Sequence, residues 1–134
     1  MKAGLQLLAT VHRVTQIAEE IFDEAVRRER ITARQAQVLA AIRDREGASQ
    51  TDIAEATAID RSTLADICRR LIAKGLISRR RSREDSRAYV LKVTPEGHAV
   101  LRRVEDATDH AARQVRKRII GLEHLRVAAP IAAE

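Results

Sequence analysis

Residues 50–71 read QTDIAEATAIDRSTLADICRRL, and the spacing of their apolar members sets the architecture expected of the whole chain. Ile53 and Ala54, then Leu64, Ile67, Cys68 and Leu71, mark two short helices that each bury one face. Between them Thr57-Ala58-Ile59 forms a tight turn, and Asp60 is a good N-cap because its carboxylate can accept from amides left open by the next helix's first turn. The outer face of that second helix carries Arg61, Ser62, Ala65, Asp66, Arg69 and Arg70. A helix-turn-helix needs small or apolar residues at the crossing and a polar outer face, and both are present.

Working toward the N-terminus, Ser49 or Gln50 starts the first of these helices, with Asp52 where the helix dipole favours negative charge. Thr32 and Gln35 have the spacing of a capping box for a preceding helix that buries Ala36, Val38, Leu39 and Ile42. Gly47 closes that helix by taking a left-handed conformation. Residues 3–30 read as one amphipathic helix, with Leu7, Val11, Val14, Ala18, Ile21 and Ala25 at alternating spacings of four and three. Such a seam packs against the chain's own core or against a second chain, and one long helix can do both.

Toward the C-terminus, Lys74 and Gly75 end the second of these helices, and the period then changes from helical to alternating. LISRRR and AYVLKVT, separated by SREDS, predict a β-hairpin. Arg79 and Arg81 lie one strand period apart, so Arg80 faces the other way. Thr94-Pro95-Glu96 is a helix start, and Leu101, Val104, Ala111, Val115 and Ile119 follow on one side of a long helix that is interrupted near Gly121 and cannot continue past Pro130. The expected fold is mainly α with a small β-hairpin.

The chain has 134 residues, 45% hydrophobic and 33% charged, with five glycines and two prolines, a composition suited to a single folded, helix-rich domain. Its net charge is +6, and residues 76–93 alone hold six basic and two acidic groups. A basic excess concentrated in one hairpin is the footprint of a polyanion contact. Phe22 and Tyr89 are the only aromatic residues, which weighs against a base-stacking platform or an aromatic ligand cage. The single cysteine, Cys68, excludes an internal disulfide and a CxxC motif, and its place on an inner stripe argues for a buried structural thiol rather than a redox switch. His12, His98, His110 and His124 have no metal-ligand spacing, so neither a metal nor a cofactor is expected. No nucleophile with a base, glycine-rich phosphate loop or paired carboxylates has a recognisable spacing, so an enzyme is not expected. Neither a signal peptide nor an apolar run of roughly 18 residues is present, and a cytoplasmic location is expected.

IxxxTxxDRSTLxxxxxRLxxKGLIxR over residues 53–79, then EDSRAYVLKVTPEG over 84–97, resembles the MarR family of bacterial transcription regulators. The resemblance covers residues 31–97, with Asp85, Arg87, Leu91 or Val93, Thr94 and Gly97 in the family's wing order. It implies a winged helix-turn-helix lobe (31–97) flanked by dimerisation helices (3–30 and 98–129) in one domain, 1–134. It further implies a homodimer on a pseudo-palindromic double-stranded DNA operator, each recognition helix in a major groove and each wing in a minor groove, with repression the expected sign. By the same resemblance Arg61, Ser62, Thr63, Asp66 and Arg69 lie near base edges or phosphates, and Ser49, Gln50 and Thr51 meet phosphate. Arg79, Arg81 and Arg83 contact the backbone or minor groove, Arg87 is the wing-tip arginine, and Asp85 holds it by a salt bridge. Leu7, Val11, Val14, Ala18, Ile21, Val115, Ile119 and Leu122 are the expected dimer interface.

Two departures from the family pattern stand out. Ala58 sits where such turns often have Gly, at a cost on the order of 1 kcal/mol if φ is positive there. After Ile120 the chain runs GLEHLRVAAPIAAE, shorter and less apolar than the helix pair with which such proteins usually finish. The family often binds small anionic aromatics between its dimer helices and its DNA-binding lobe, and this chain has few aromatic side chains to line such a cleft. A small-molecule effector of unspecified identity therefore stays open. So does a second class of function, a winged-helix protein-interaction module without operator recognition.

Overall fold

A computed structural model describes residues 2–119. The interruption near Gly121, the interface residue Leu122, His124, the stop at Pro130 and the helix end at 129 lie outside the described residues. Five helices and one hairpin follow in the order α1 (Ala3–Val26), α2 (Ala33–Asp44), α3 (Gln50–Thr57), α4 (Arg61–Ala73), β1 (Ile77–Arg81), β2 (Tyr89–Val93) and α5 (Pro95–Arg118). The helix expected over residues 3–30 stops earlier, at Val26, and a single 3-10 turn, Arg27–Glu29, carries the chain to Arg30 at φ 57°. That left-handed residue turns the chain out of the long helix and into the lobe.

Local chemistry explains most of the boundaries. The Thr32 and Gln35 capping box forms in full, with the Gln35 N–H donating to Thr32 Oγ1 and the Thr32 N–H to Gln35 Oε1, each at 3.1 Å. Ser49 and Asp52 make a second box that opens α3. Ala58 has φ 57°, so the turn between α3 and α4 does place a side-chain-bearing residue in the left-handed region. Gly75 closes α4 at φ 73°, whereas α2 already ends at its cap Arg45, and Gly47, at φ 79°, serves the turn that follows, in which the Ala48 N–H donates to Arg45 O at 3.1 Å.

The core lies where α2, α3, α4, the hairpin and the start of α5 meet, around Leu39, Ile53, Leu64, Leu71 and Leu101, all almost fully buried. Each such side chain contributes about 1.5–3 kcal/mol, so the crossing geometry of α3 and α4 is held by the most stable part of the molecule. The hairpin is antiparallel, with Ile77 opposite Val93, Arg79 opposite Leu91 and Arg81 opposite Tyr89. One bond ties its β2 edge to the loop before α3, and another extends its own ladder at the base. The Leu91 N–H donates to Ala48 O at 3.0 Å, and the Thr94 N–H to Leu76 O at 3.0 Å.

Helix α5 runs back along the C-terminal half of α1, leaving Leu5, Leu7, Leu8 and Val11 near the start of α1 exposed. Among the described residues no helix is long and apolar enough to cross a membrane.

Candidate nucleic-acid interface

The start of α4 is organised by one carboxylate. Asp60 Oδ1 accepts from the Thr63 N–H at 2.9 Å and from the Ser62 hydroxyl at 2.8 Å, and Oδ2 accepts from the Thr63 hydroxyl at 2.7 Å. These donors, the Thr63 hydroxyl foremost, hold the Asp60 carboxyl down to about 2. With their protons committed to Asp60, the Ser62 and Thr63 oxygens present lone pairs outward, so in this arrangement they accept rather than donate.

One turn on, Asp66 accepts from Arg69 and, at 3.0 Å, from Arg70 Nε. The Arg69 bond is the first cause of its lowered pKa and the Arg70 bond the second. The outer face of α4 therefore presents two arginines oriented by a single carboxylate, while Arg61 has no ion-pair partner among the described residues. On the opposite face Cys68 is buried, which pushes its thiol up to about 11 against the opposing charge of Arg79. A thiol in that state is an inert packing group.

At α3, Asp52 Oδ2 accepts the Ser49 N–H at 2.9 Å and Ser49 Oγ accepts the Asp52 N–H at 3.1 Å. Ser49 thus spends its amide within the capping box, and its hydroxyl lies beside the same Asp52 carboxylate, whose pKa is lowered by the Ser49 amide first and the Ser49 side chain second. Gln50 and Thr51 occupy the first two helical positions, where amides have no acceptor four residues back.

The wing loop is closed by its own hydrogen bonds. The Ser82 N–H donates to Ala88 O at 2.8 Å and the Ala88 N–H to Asp85 O at 3.0 Å. Asp85 does not form the salt bridge expected of it. Its Oδ1 accepts from the backbone N–H of Arg87 at 3.0 Å, and no ion pair joins the two side chains. With only one residue between them, the short Asp side chain reaches the amide, a local turn that shapes the loop and leaves the Arg87 guanidinium exposed. Arg83 is exposed beside it.

By register Arg80 lies on the strand face opposite Arg79 and Arg81, and it lines, together with Arg43, Arg81, Lys92 and His98, a groove of about 730 Å³. Arg79 and Arg81 lie on the face of Leu91 and Val93, both buried, so their face continues the core outward toward α4. The residue missed in sequence was Tyr89. Its ring lies under both guanidiniums, 4.6 Å from Arg79 and 5.4 Å from Arg81. Its alternation in the strand was legible, but its partners depend on the hairpin register.

Of the expected interface residues, Leu7 and Val11 are 60% and 49% exposed, whereas Val14, Ala18, Ile21, Val115 and Ile119 are half-buried. A cavity of about 870 Å³ opens between α1, α2 and α5, with Val14, Phe22, Ala36, Leu101 and Val104 on its apolar side and Glu19, Asp23, Arg34 and Glu105 as its charged lining. No group of three His, Cys, Asp or Glu residues that could hold a metal occurs among the described residues.

Comparison with known proteins bears on this geometry. Residues 31–88 match the model of the MarR family. The chain is 32% identical over 101 residues to the HTH-type transcriptional repressor NicR of Pseudomonas putida, covering 75% of this chain and 61% of that protein. It spans 42% of another curated relative, a regulatory protein from Thauera aromatica, at 40% identity over 70 residues. Among solved structures, Bordetella bronchiseptica BpsR, described for regulation of its DNA binding by 6-hydroxynicotinic acid, is 26% identical at TM-score 0.80, covering 96% of this chain and 98% of that one. A MarR variant from E. coli complexed with operator DNA shares the fold at TM-score 0.81, 24% identity and 90% coverage of each chain.

Proposed function

Because this chain belongs to the MarR family, we propose that it is a transcription repressor that binds double-stranded DNA as a homodimer, at a pseudo-palindromic operator whose half-sites lie roughly 10 bp apart. One observation carries the reading. Helix α4 exposes Arg61, Ser62, Thr63 and Arg69, the hairpin that follows exposes Arg79, Arg80, Arg81, Arg83 and Arg87, and both elements are anchored in the core through Leu64, Leu71, Ile77 and Leu91. Arg61 and Arg69, with the acceptors of Ser62 and Thr63, read base edges in the major groove, and Asp66 orients Arg69. Ser49, Gln50 and Thr51 donate to phosphate, Arg79, Arg81 and Arg83 displace counterions, and Arg87 enters the minor groove.

In this reading residues 31–97 are the DNA-binding lobe, and α1 (Ala3–Val26) with α5 (Pro95–Arg118) are the dimerisation helices. The exposed Leu7 and Val11 support a partner chain at the start of α1, because adjacent large apolar side chains left open in a monomer mark an interaction surface. The cavity between α1, α2 and α5 is of a size to hold a small effector.

The test selects binding sites from a random duplex library, then measures affinity with competitor DNA and mass by light scattering. A selected palindrome that outcompetes random duplex, bound by two copies, is the expected result. If no sequence ever competes better than random DNA, the chain is an interaction module and operator recognition is the wrong reading. Arg87→Ala is expected to weaken binding to every sequence and to lower the salt slope by about one unit.

A further inference from the structure

Tyr89 is 42% exposed, on the wing face that carries the guanidiniums of Arg79 and Arg81. Residues two apart on a strand project to the same side at about 7 Å separation, so the two like charges repel. A ring face beneath both offsets that repulsion, because its quadrupole attracts each cation. Arg81 is held a second time, its Nη1–H donating to Ser86 O at 2.8 Å across the loop. Two long side chains that would otherwise sample many rotamers are therefore arrayed before any ligand arrives. The same face runs into the core through Leu91 and Val93, which anchors the strands that carry the two arginines.

We propose that Tyr89 is a positioning residue of the wing, whose ring holds Arg79 and Arg81 in the arrangement in which they meet the DNA backbone. The role rests on the DNA-binding function proposed above. Tyr89 contributes by lowering the conformational cost of binding and makes no phosphate contact of its own. Without the ring the two arginines still reach phosphate, but each must be ordered on binding, a loss of about three- to tenfold in affinity.

The test uses the full chain and a 5′-labelled random-sequence duplex over a series of KCl concentrations. Tyr89→Leu is expected to weaken binding about three- to tenfold with an unchanged salt slope, because the number of displaced counterions is the same. Tyr89→Phe, which keeps the ring face, restores parental affinity. Arg79→Gln with Arg81→Gln lowers the slope by about two units, and Tyr89→Leu added to that pair has no further effect. An equal loss in that background overturns the proposal, since Tyr89 then acts on DNA or on the hairpin by itself. So does a Phe variant as weak as the Leu variant. In the free protein, ring-current shifts of the Arg79 and Arg81 Nε–H resonances are expected in parent and Phe variant and lost in the Leu variant. A parent that shows those shifts and binds no duplex overturns the DNA-binding reading. A parent that binds duplex without the shifts overturns the role of Tyr89 alone.

Discussion

The Arg103 guanidinium grips the Glu29 carboxylate through two bonds, Nε–H to Oε1 at 2.6 Å and Nη2–H to Oε2 at 3.0 Å. This fork ties α5 to the 3-10 turn where the chain leaves α1 for α2. The Arg103 hydrogen bond, outweighing desolvation, holds the Glu29 pKa below 4.5. Since the folded value is depressed, the pair's stabilisation is complete above the unfolded pKa and is lost as pH falls through the folded one. Glu29→Gln is expected to lower the urea midpoint at neutral pH and to flatten its decline below about pH 4.5. An acid limb unchanged by Glu29→Gln would falsify this linkage.

Asp60 offers a second acid-side test, at the start of α4. Its carboxyl is held at about 2, and the Thr63 hydroxyl is the largest cause. Thr63→Val removes that donor while keeping side-chain shape, so the Asp60 pKa is expected to rise toward 3.8. Carboxyl carbon chemical shifts followed by NMR titration read it directly. The contribution of Asp60 to stability, present above its unfolded pKa and lost as pH falls toward 2 in the parent, then disappears at higher pH in the variant.

Two substitutions involving glycine should act in opposite directions. A Cβ at Gly97 would stand 2.1 Å from Leu76 O and 2.7 Å from Val93 Cγ1. Backbone cannot yield as a side-chain tip does, so Gly97→Ala is expected to cost about 2–3 kcal/mol by urea denaturation. Ala58→Gly relieves a left-handed alanine, worth roughly 1–2 kcal/mol, against roughly 0.4–1 kcal/mol of added unfolded-state entropy. A net gain of about 0.5 kcal/mol is expected, and a loss would mean that the Ala58 methyl packs usefully.

Cys68, only 1% exposed and with its thiol pushed up to about 11, should be chemically silent. At pH 8 the folded chain is expected to react with iodoacetamide at least about a hundredfold more slowly than the chain in urea. Mass spectrometry of quenched samples measures both rates. Comparable rates would reopen a redox role for this thiol.

What the sequence by itself determined was the order and kind of the elements. The caps at Thr32, Asp60 and Thr94, the left-handed glycines 47 and 75, and the switch from helical to alternating period at Leu76 all act within a few residues. Such patterns are legible because their hydrogen bonds close locally. The same locality placed Arg80 on the opposite face from Arg79 and Arg81.

Tertiary structure decided which groups meet. Glu29 finds Arg103 74 positions away, and Tyr89 finds two arginines because the register sets Arg81 opposite it. Asp85, expected to hold a guanidinium, takes the nearer backbone amide of Arg87. Along the seam of α1, one uniform apolar pattern divides into residues half-covered by α5 and the open Leu7 and Val11. An apolar period states that a face seeks cover, while what covers it depends on where the chain returns.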